Sequence, residues 1–271
     1  MTLEMWLSTH PYLRTVADFH AQVSEAMNSV PMTYARIPNW QKYADDYKEG
    51  IPVLNSSHAT IDCTEVERIV SSLSRKLASV PLPEEIKRQS LDLSTEFRGE
   101  SGRSRQLVAW LLGDDDCKVL HPGLYRHIGW TALSRYLGPL VTAFESWREE
   151  EQWMQSYCPI CGSGPSMAQL VGMDPGRRRL LVCGCCRTHW QFRRIGCPFC
   201  ENANDHRLSV LAIEGERQLR IDYCDSCSGY LKTYDGEERE SVMLADWTSL
   251  HLDLLAKGRG LKRLATSLYE L

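Results

Sequence analysis

Eight of the eleven cysteines fall into four C-x-x-C pairs: Cys158/Cys161, Cys183/Cys186, Cys197/Cys200 and Cys224/Cys227. A C-x-x-C turn aims two thiolates at one point, and two such turns complete a tetrahedral cage around a metal ion. Four turns therefore predict two closed four-sulfur sites, suited to zinc or to rubredoxin-like iron. Gaps of 21 residues (Cys161 to Cys183) and 23 residues (Cys200 to Cys224) fit a metal-ribbon spacing, whereas only 10 residues separate Cys186 from Cys197. Two consecutive ribbons follow most economically, with Cys158, Cys161, Cys183 and Cys186 on one ion and Cys197, Cys200, Cys224 and Cys227 on the other. An interleaved pairing, first with third and second with fourth, is the alternative.

The residues around the thiols suit the turn. Cys158-Pro159-Ile160-Cys161-Gly162 has a proline to fix φ early and a glycine where the chain turns past the second ligand. Cys197-Pro198-Phe199-Cys200 repeats the proline but continues with Glu201, and the other two pairs lack proline. Cys185, inside Cys183-Gly184-Cys185-Cys186, offers a C-x-C choice of ligand; pairing Cys183 with Cys186 keeps both gaps at ribbon length and leaves Cys185 a free thiol. His189 is a second substitute ligand, less favoured than a histidine at a strand edge. Closed sulfur cages have no open position for substrate, so zinc in them is structural, whereas iron can carry one electron.

The chain has 271 residues, 43% of them apolar, enough for two domains or one large domain with an appendage. Its formal net charge is −4, and eight thiolates with two divalent ions would take it to about −8. That overall field repels nucleic acid. The first residues lack the basic and long apolar regions of a secretory signal, and no run reaches the ~18–20 apolar residues of a membrane span. The expectation is a cytoplasmic protein whose thiols stay reduced and bind metal, not a disulfide framework.

Residues 1–156 hold only Cys63 and Cys117 and read as a helical domain. Leu13, Val16, His20, Val23 and Met27 recur at helical spacing, as do Val66, Ile69, Val70, Leu73 and Leu77 behind a Thr64/Glu67 capping box. Pro81 and Pro83 end that helix, and Glu84-Glu85 suit the start of the next. Another helix spans Arg105 to Leu112, stopping near Gly113 and Asp114-Asp115-Asp116. The stretch from Tyr125 to Trp153 is helical, with a kink or break at Gly138-Pro139, and residues 28–62 read as loop. Trp110, Tyr125, Trp130, Tyr136, Phe144, Trp147 and Trp153 are expected mostly as packing.

Beyond Tyr157 the composition shifts to Cys, Gly and Arg with short β-like runs: Arg179 to Val182, Trp190 to Arg194, Arg207 to Ile213 and Gln218 to Tyr223. The fold class is α+β: a helical domain (1–156), two rubredoxin-like or zinc-ribbon modules (157–196 and 197–236) and a C-terminal helical tail (237–271) packing back on the body. The tail helix is expected around Ala245 to Ala256, ended by Gly258 and Gly260, with a short last turn after it.

The order of motifs is more specific than the cysteines alone. Cys158-Pro159-Ile160-Cys161-Gly162-Ser163, Cys183-x-x-Cys186-x-Thr188-x-Trp190, Arg194, Cys197-x-x-Cys200-Glu201 and Cys224-x-x-Cys227-x-x-Tyr230-Leu231-Lys232 together resemble the formate dehydrogenase accessory (FdhE-type) proteins. The resemblance covers about residues 157–234. In the helical half it is one of kind, with Trp130 to Ser134 at a matching place, and the Gly184-Cys185 thiol departs from the pattern. The resemblance implies a non-enzymatic assembly factor that binds the catalytic subunit of formate dehydrogenase in the cytoplasm. It favours rubredoxin-like iron over zinc in the two four-cysteine sites. It also implies that Trp190, Arg194, Tyr230 and Lys232 shape the surface beside the metals, as partner-facing or supporting residues.

Two other readings compete. A double zinc ribbon could bind nucleic acid through Arg177, Arg178, Arg179, Arg187, Arg193, Arg194, Arg207, Arg217 and Arg220. Residues 158–235 carry ten Lys and Arg against eight Asp and Glu, too small an excess to favour it. A stand-alone iron electron carrier or thiol oxidoreductase is the other, since low-pKa C-x-x-C thiols exchange disulfides, but four pairs at ribbon spacing favour metal.

Overall fold

The computed structural model describes residues 1–96, 102–114, 117–173, 176–265 and 267–269. Among these, seven α-helices precede the first cysteine pair: α1 (Leu3–Thr9), α2 (Arg14–Asn28), α3 (Trp40–Lys48), α4 (Cys63–Leu77), α5 (Glu84–Glu96), α6 (Arg103–Leu111) and α7 (Pro122–Trp147). Strands β1 (Pro165–Val171), β2 (Arg178–Cys183), β3 (His189–Phe192), β4 (Leu208–Ala212), β5 (Leu219–Cys224) and β6 (Tyr230–Asp235) follow, then α8 (Leu250–Gly258).

The stripe Val66, Ile69, Val70, Leu73 and Leu77 is buried along α4, as its spacing predicts. The cap lies earlier than expected: Asp62, not Thr64, accepts the Glu65 N–H at 3.0 Å. Two expectations fail, on the end of the long helix and on the loop. Of the kink or break expected at Gly138-Pro139 the break is absent: helix α7 runs through Pro139 unbroken, although an interior proline costs about 3 kcal/mol. Leu137, Leu140 and Phe144 around it are fully buried, and their packing outweighs the lost hydrogen bond. That helix ends at Trp147, with only a 3₁₀ turn at Glu150–Gln152 before Trp153. Helix α3 lies inside the expected loop, capped by Asn39 and anchored by buried Tyr43 and Tyr47; the flanking prolines disguise it. Asp115 and Asp116 of the expected acidic stop lie outside the described residues.

The six strands form one sheet in the order β3-β2-β1-β6-β5-β4. Each ribbon contributes three antiparallel strands, and the two meet where β1 runs parallel to β6, with Met167 opposite Lys232 and Leu170 opposite Asp235. Every residue of β1 is buried, and so are the first five of β6. These central strands show no alternation because both faces are covered, which is why period-two reading misses them.

Each face belongs to a different core. Ala168, Leu181, Trp190, Phe192 and Leu231 join helices α2 to α7 and the first four thiols in the larger core. Met167, Val182, Leu219, Ile221, Tyr230 and Tyr234 face Trp6, Leu7, Leu13, Ala17, Leu252 and Ala256. The chain's first helix thus packs with its last across the ribbon sheet, and the Trp6 indole N–H donates to the Thr248 carbonyl at 3.0 Å. Among the described residues, no helix is long and apolar enough to cross a membrane.

Candidate metal centres

The thiols of Cys158, Cys161, Cys183 and Cys186 gather within 4.8 Å of one another, and so do those of Cys197, Cys200, Cys224 and Cys227. Both groups combine consecutive pairs rather than interleaved ones. Sulfurs bound to one zinc at ~2.3 Å lie about 3.8 Å apart in a tetrahedron. Cys197 to Cys227 spans 3.7 Å and Cys200 to Cys224 spans 3.8 Å. The first cluster is tighter, at 3.4 Å for both Cys158 to Cys186 and Cys161 to Cys183. All eight are free thiols without disulfides.

Each pair sits in the same tight turn. The N–H after the second cysteine returns to the carbonyl of the first in Gly162 to Cys158 (2.9 Å), Glu201 to Cys197 (3.0 Å) and Ser228 to Cys224 (2.8 Å). The residue after the second cysteine is left-handed in all four: Gly162 (φ 74°), Arg187 (64°), Glu201 (57°) and Ser228 (59°). A glycine takes that conformation freely, and the other three do so against their own Cβ. Ile160, Phe199 and Gly229 each aim a backbone N–H at a sulfur 3.4 Å away, stabilising thiolate charge.

The clusters differ in access. Cys158, Cys161, Cys183 and Cys186 are all buried, whereas Cys200 is exposed and Cys227 half-buried. The helical half seals the first: Val53 and Leu54 donate their N–H groups to the carbonyls of Pro159 and Ile160 at 2.8 and 2.9 Å. Burial pushes the Cys158, Cys183 and Cys186 thiols well up. Burial opposes ionisation of Cys161 too, but hydrogen bonds from the other three hold it well below the usual thiol range. In the second cluster, burial raises Cys197 to about 12. Burial would also raise Cys224, but N–H groups of Cys227 and Ser226 bring it down to about 7. Four close sulfurs cannot all ionise without a cation, so metal entry releases protons and binds more tightly as pH rises.

Cys185 is buried and stands outside the four-thiol group, as does His189. Of the residues expected to shape the surface, three are interior. Trp190 is 1% exposed and gives its indole N–H to the Gln155 carbonyl at 3.0 Å. Tyr230 and Lys232 are buried as well, in a network with the tail: Tyr230 Oη donates to Asp253 at 2.7 Å, and Lys232 Nζ to Asp253 at 2.7 Å and Asp246 at 2.8 Å. Arg263 pairs with both aspartates. Lysine and tyrosine in a strand read as surface residues, and only the partners 14 to 33 residues downstream make their burial possible. Arg194 alone of the four is exposed. It lines a groove of about 200 Å³ beside the second cluster with Arg179, Ile195, Pro198, Val210 and Tyr223.

Several arginines behind the nucleic-acid reading are engaged internally. Arg177 pairs with Asp235, Arg178 with Glu150, Arg220 with Asp222, and buried Arg179 donates to the Gly196 carbonyl. A third gathering of ligand-type side chains, His10, Glu216 and His251, has no sequence spacing to announce it.

Known proteins resemble this chain in sequence and in fold. It is 32% identical over 199 residues to "Protein FdhE homolog" of Pseudomonas putida, across 65% of this chain and 61% of that one. It is 32% identical over 133 residues to "Protein FdhE homolog" of Aquifex aeolicus, 47% of each chain. It is 33% identical over 140 residues to "Protein FdhE" of Escherichia coli, 49% of this chain and 44% of that one. The matched region thus spans about half the length of these curated relatives. The crystal structure of the FdhE protein from Pseudomonas aeruginosa superposes with a TM-score of 0.65 at 22% identity, covering 95% of this chain and 88% of that one. No family model matches the chain.

Proposed function

We propose that this chain, which resembles FdhE proteins in sequence and in fold, has a cytoplasmic accessory role in forming active formate dehydrogenase, exerted by binding that enzyme's catalytic subunit. The supporting observation is the asymmetry of the two thiol clusters. One is sealed in the core that joins the helices to the sheet, and the other reaches the surface at Cys200. The sealed cluster suits a structural cross-link. The exposed one lies beside a groove whose rim carries Ile195 and Val210, 53% and 56% exposed, and the positive charge of Arg194. Apolar surface of this kind at the edge strand β4 suits a protein partner.

Cys158, Cys161, Cys183 and Cys186 would hold one ion and Cys197, Cys200, Cys224 and Cys227 the other. Bound iron would supply one-electron chemistry, while bound zinc would only cross-link. The chain's own part is to preorganise sulfurs by four tight turns and to leave one cluster edge bare for the partner. The two cysteine sites would assist and not turn over formate, because closed sulfur cages leave no coordination position for a substrate.

The test is formate dehydrogenase activity in cells lacking this gene. Activity is expected to vanish while the catalytic subunit still accumulates, and to return with the wild-type chain but poorly with Cys200→Ser. Full enzyme activity in the deleted strain would refute the proposal.

A further inference from the structure

Three side chains remote from each other in sequence meet outside both cysteine clusters. His10 follows α1, Glu216 lies in the turn between β4 and β5, and His251 sits in the first turn of α8. His10 Nε2 is 2.6 Å and His251 Nε2 is 2.9 Å from the same Glu216 oxygen, Oε1. All three side chains are largely buried, at 11%, 10% and 15% exposure.

The other edge of the His10 ring is held as well. Its Nδ1 lies 2.9 Å from the Thr9 hydroxyl and 3.0 Å from the Trp6 carbonyl oxygen. Both Nε2 atoms, of His10 and of His251, are thereby aimed at one carboxylate oxygen from two separate helical segments.

We infer that His10, Glu216 and His251 form a third metal site, for a divalent transition ion of the zinc class. Two imidazoles and one carboxylate are a nitrogen–oxygen donor set, distinct from the all-sulfur clusters. Donors that share one zinc at ~2.0–2.2 Å lie about 3.3 Å apart, and the three atoms here already fall within 4.8 Å. A small turn of the carboxylate opens the space. The Trp6 carbonyl and the Thr9 hydroxyl at Nδ1 fix the ring as outer partners of metal-binding histidines do. The stacked Trp6 ring, 3.8 Å from His10 between centroids, holds it from the side. Three protein ligands leave a fourth position open, unlike the closed cysteine cages. The ion would clamp the chain's first helix, the second ribbon and the last helix at one point.

The experiment uses the full chain, purified without oxygen and with both cysteine sites filled, dialysed against Co²⁺ or Zn²⁺. Elemental analysis is expected to find a third equivalent in the wild type, lost in Glu216→Gln and in His251→Ala. Co²⁺ should add visible bands without further sulfur charge-transfer absorption. If neither variant folds, the wild-type Co²⁺ spectrum still decides: nitrogen–oxygen bands for the third equivalent support the site, and sulfur charge transfer overturns it. Absence of a third equivalent in the wild type also overturns it and leaves a histidine–carboxylate hydrogen-bond cluster. So does a third equivalent that persists in both folded variants.

Discussion

At the scale of single residues, the four metal turns share one backbone requirement and meet it with four different side chains. Gly162 was legible as a turn residue, because a glycine after C-P-x-C has an obvious conformational use. Arg187, Glu201 and Ser228 were not, since nothing about a charged or hydroxyl residue announces a positive φ. A non-glycine residue there costs ~1–2 kcal/mol, against ~0.5–1 kcal/mol for the added freedom of glycine in the unfolded chain. Glu201→Gly and Ser228→Gly are therefore expected to raise the unfolding free energy of the metal-loaded protein by about 0.5–1 kcal/mol. Gly162→Ala should lower it by about 1 kcal/mol, since its Cβ would find ordinary contacts with Pro52 and Asn55 and only the backbone objects. Denaturant titration measures all three, and a loss of stability in both glycine variants would contradict the shared-turn account.

At the scale of elements, the strongest coupling outside the metals is the network by which β6 holds the tail. Lys232 is 1% exposed with two aspartates and no water-facing outlet. Lys232→Met leaves Asp246 and Asp253 with Arg263 as their one cation among the described residues, and breaking a buried ion network in this way costs ~3–5 kcal/mol. A thermal unfolding shift equivalent to less than about 1 kcal/mol would show the network to be slack. The same network has a pH signature. Burial alone would raise the Asp246 carboxyl, but Lys232 and Arg263 hold it down to about 2. A carboxyl depressed in the folded state stabilises above its unfolded pKa and loses that contribution as pH falls through the folded one. The stability gap between wild type and Asp246→Asn should thus be full above about pH 4 and close towards about pH 2. A gap that does not change with pH would contradict this. Elements with one exposed face, such as α4 and β5, were legible from their period. Strands β1 and β6, covered on both faces, and α3, among prolines, were not.

At the scale of the molecule, the two metal clusters were legible from spacing alone, but their relation to the rest was not. Cysteine positions predict two ribbons; they do not predict that the ribbons fuse into one six-stranded sheet or that one face of it belongs to the helices and the other to both chain ends. Those facts depend on contacts between residues far apart in the chain, where sequence carries no period. They have a consequence for metal removal. A chelator should strip the cluster with exposed Cys200 quickly and the sealed cluster slowly, giving two phases of release. The slow phase should coincide with loss of near-ultraviolet circular dichroism from Trp130, Trp153 and Trp190, all buried in the core around the first cluster. A single phase would mean that the two sites are equally protected.

The proposed docking of the catalytic subunit of formate dehydrogenase beside the exposed thiol cluster can be tested by anaerobic co-purification of the tagged full chain with that subunit. A stable complex is expected with the wild type, weakened at least about tenfold by Val210→Asp or Arg194→Glu on the groove rim and retained by a charge change elsewhere, such as Lys48→Glu. Failure to recover the subunit with the metal-loaded wild type, or a complex indifferent to both rim changes, would contradict it.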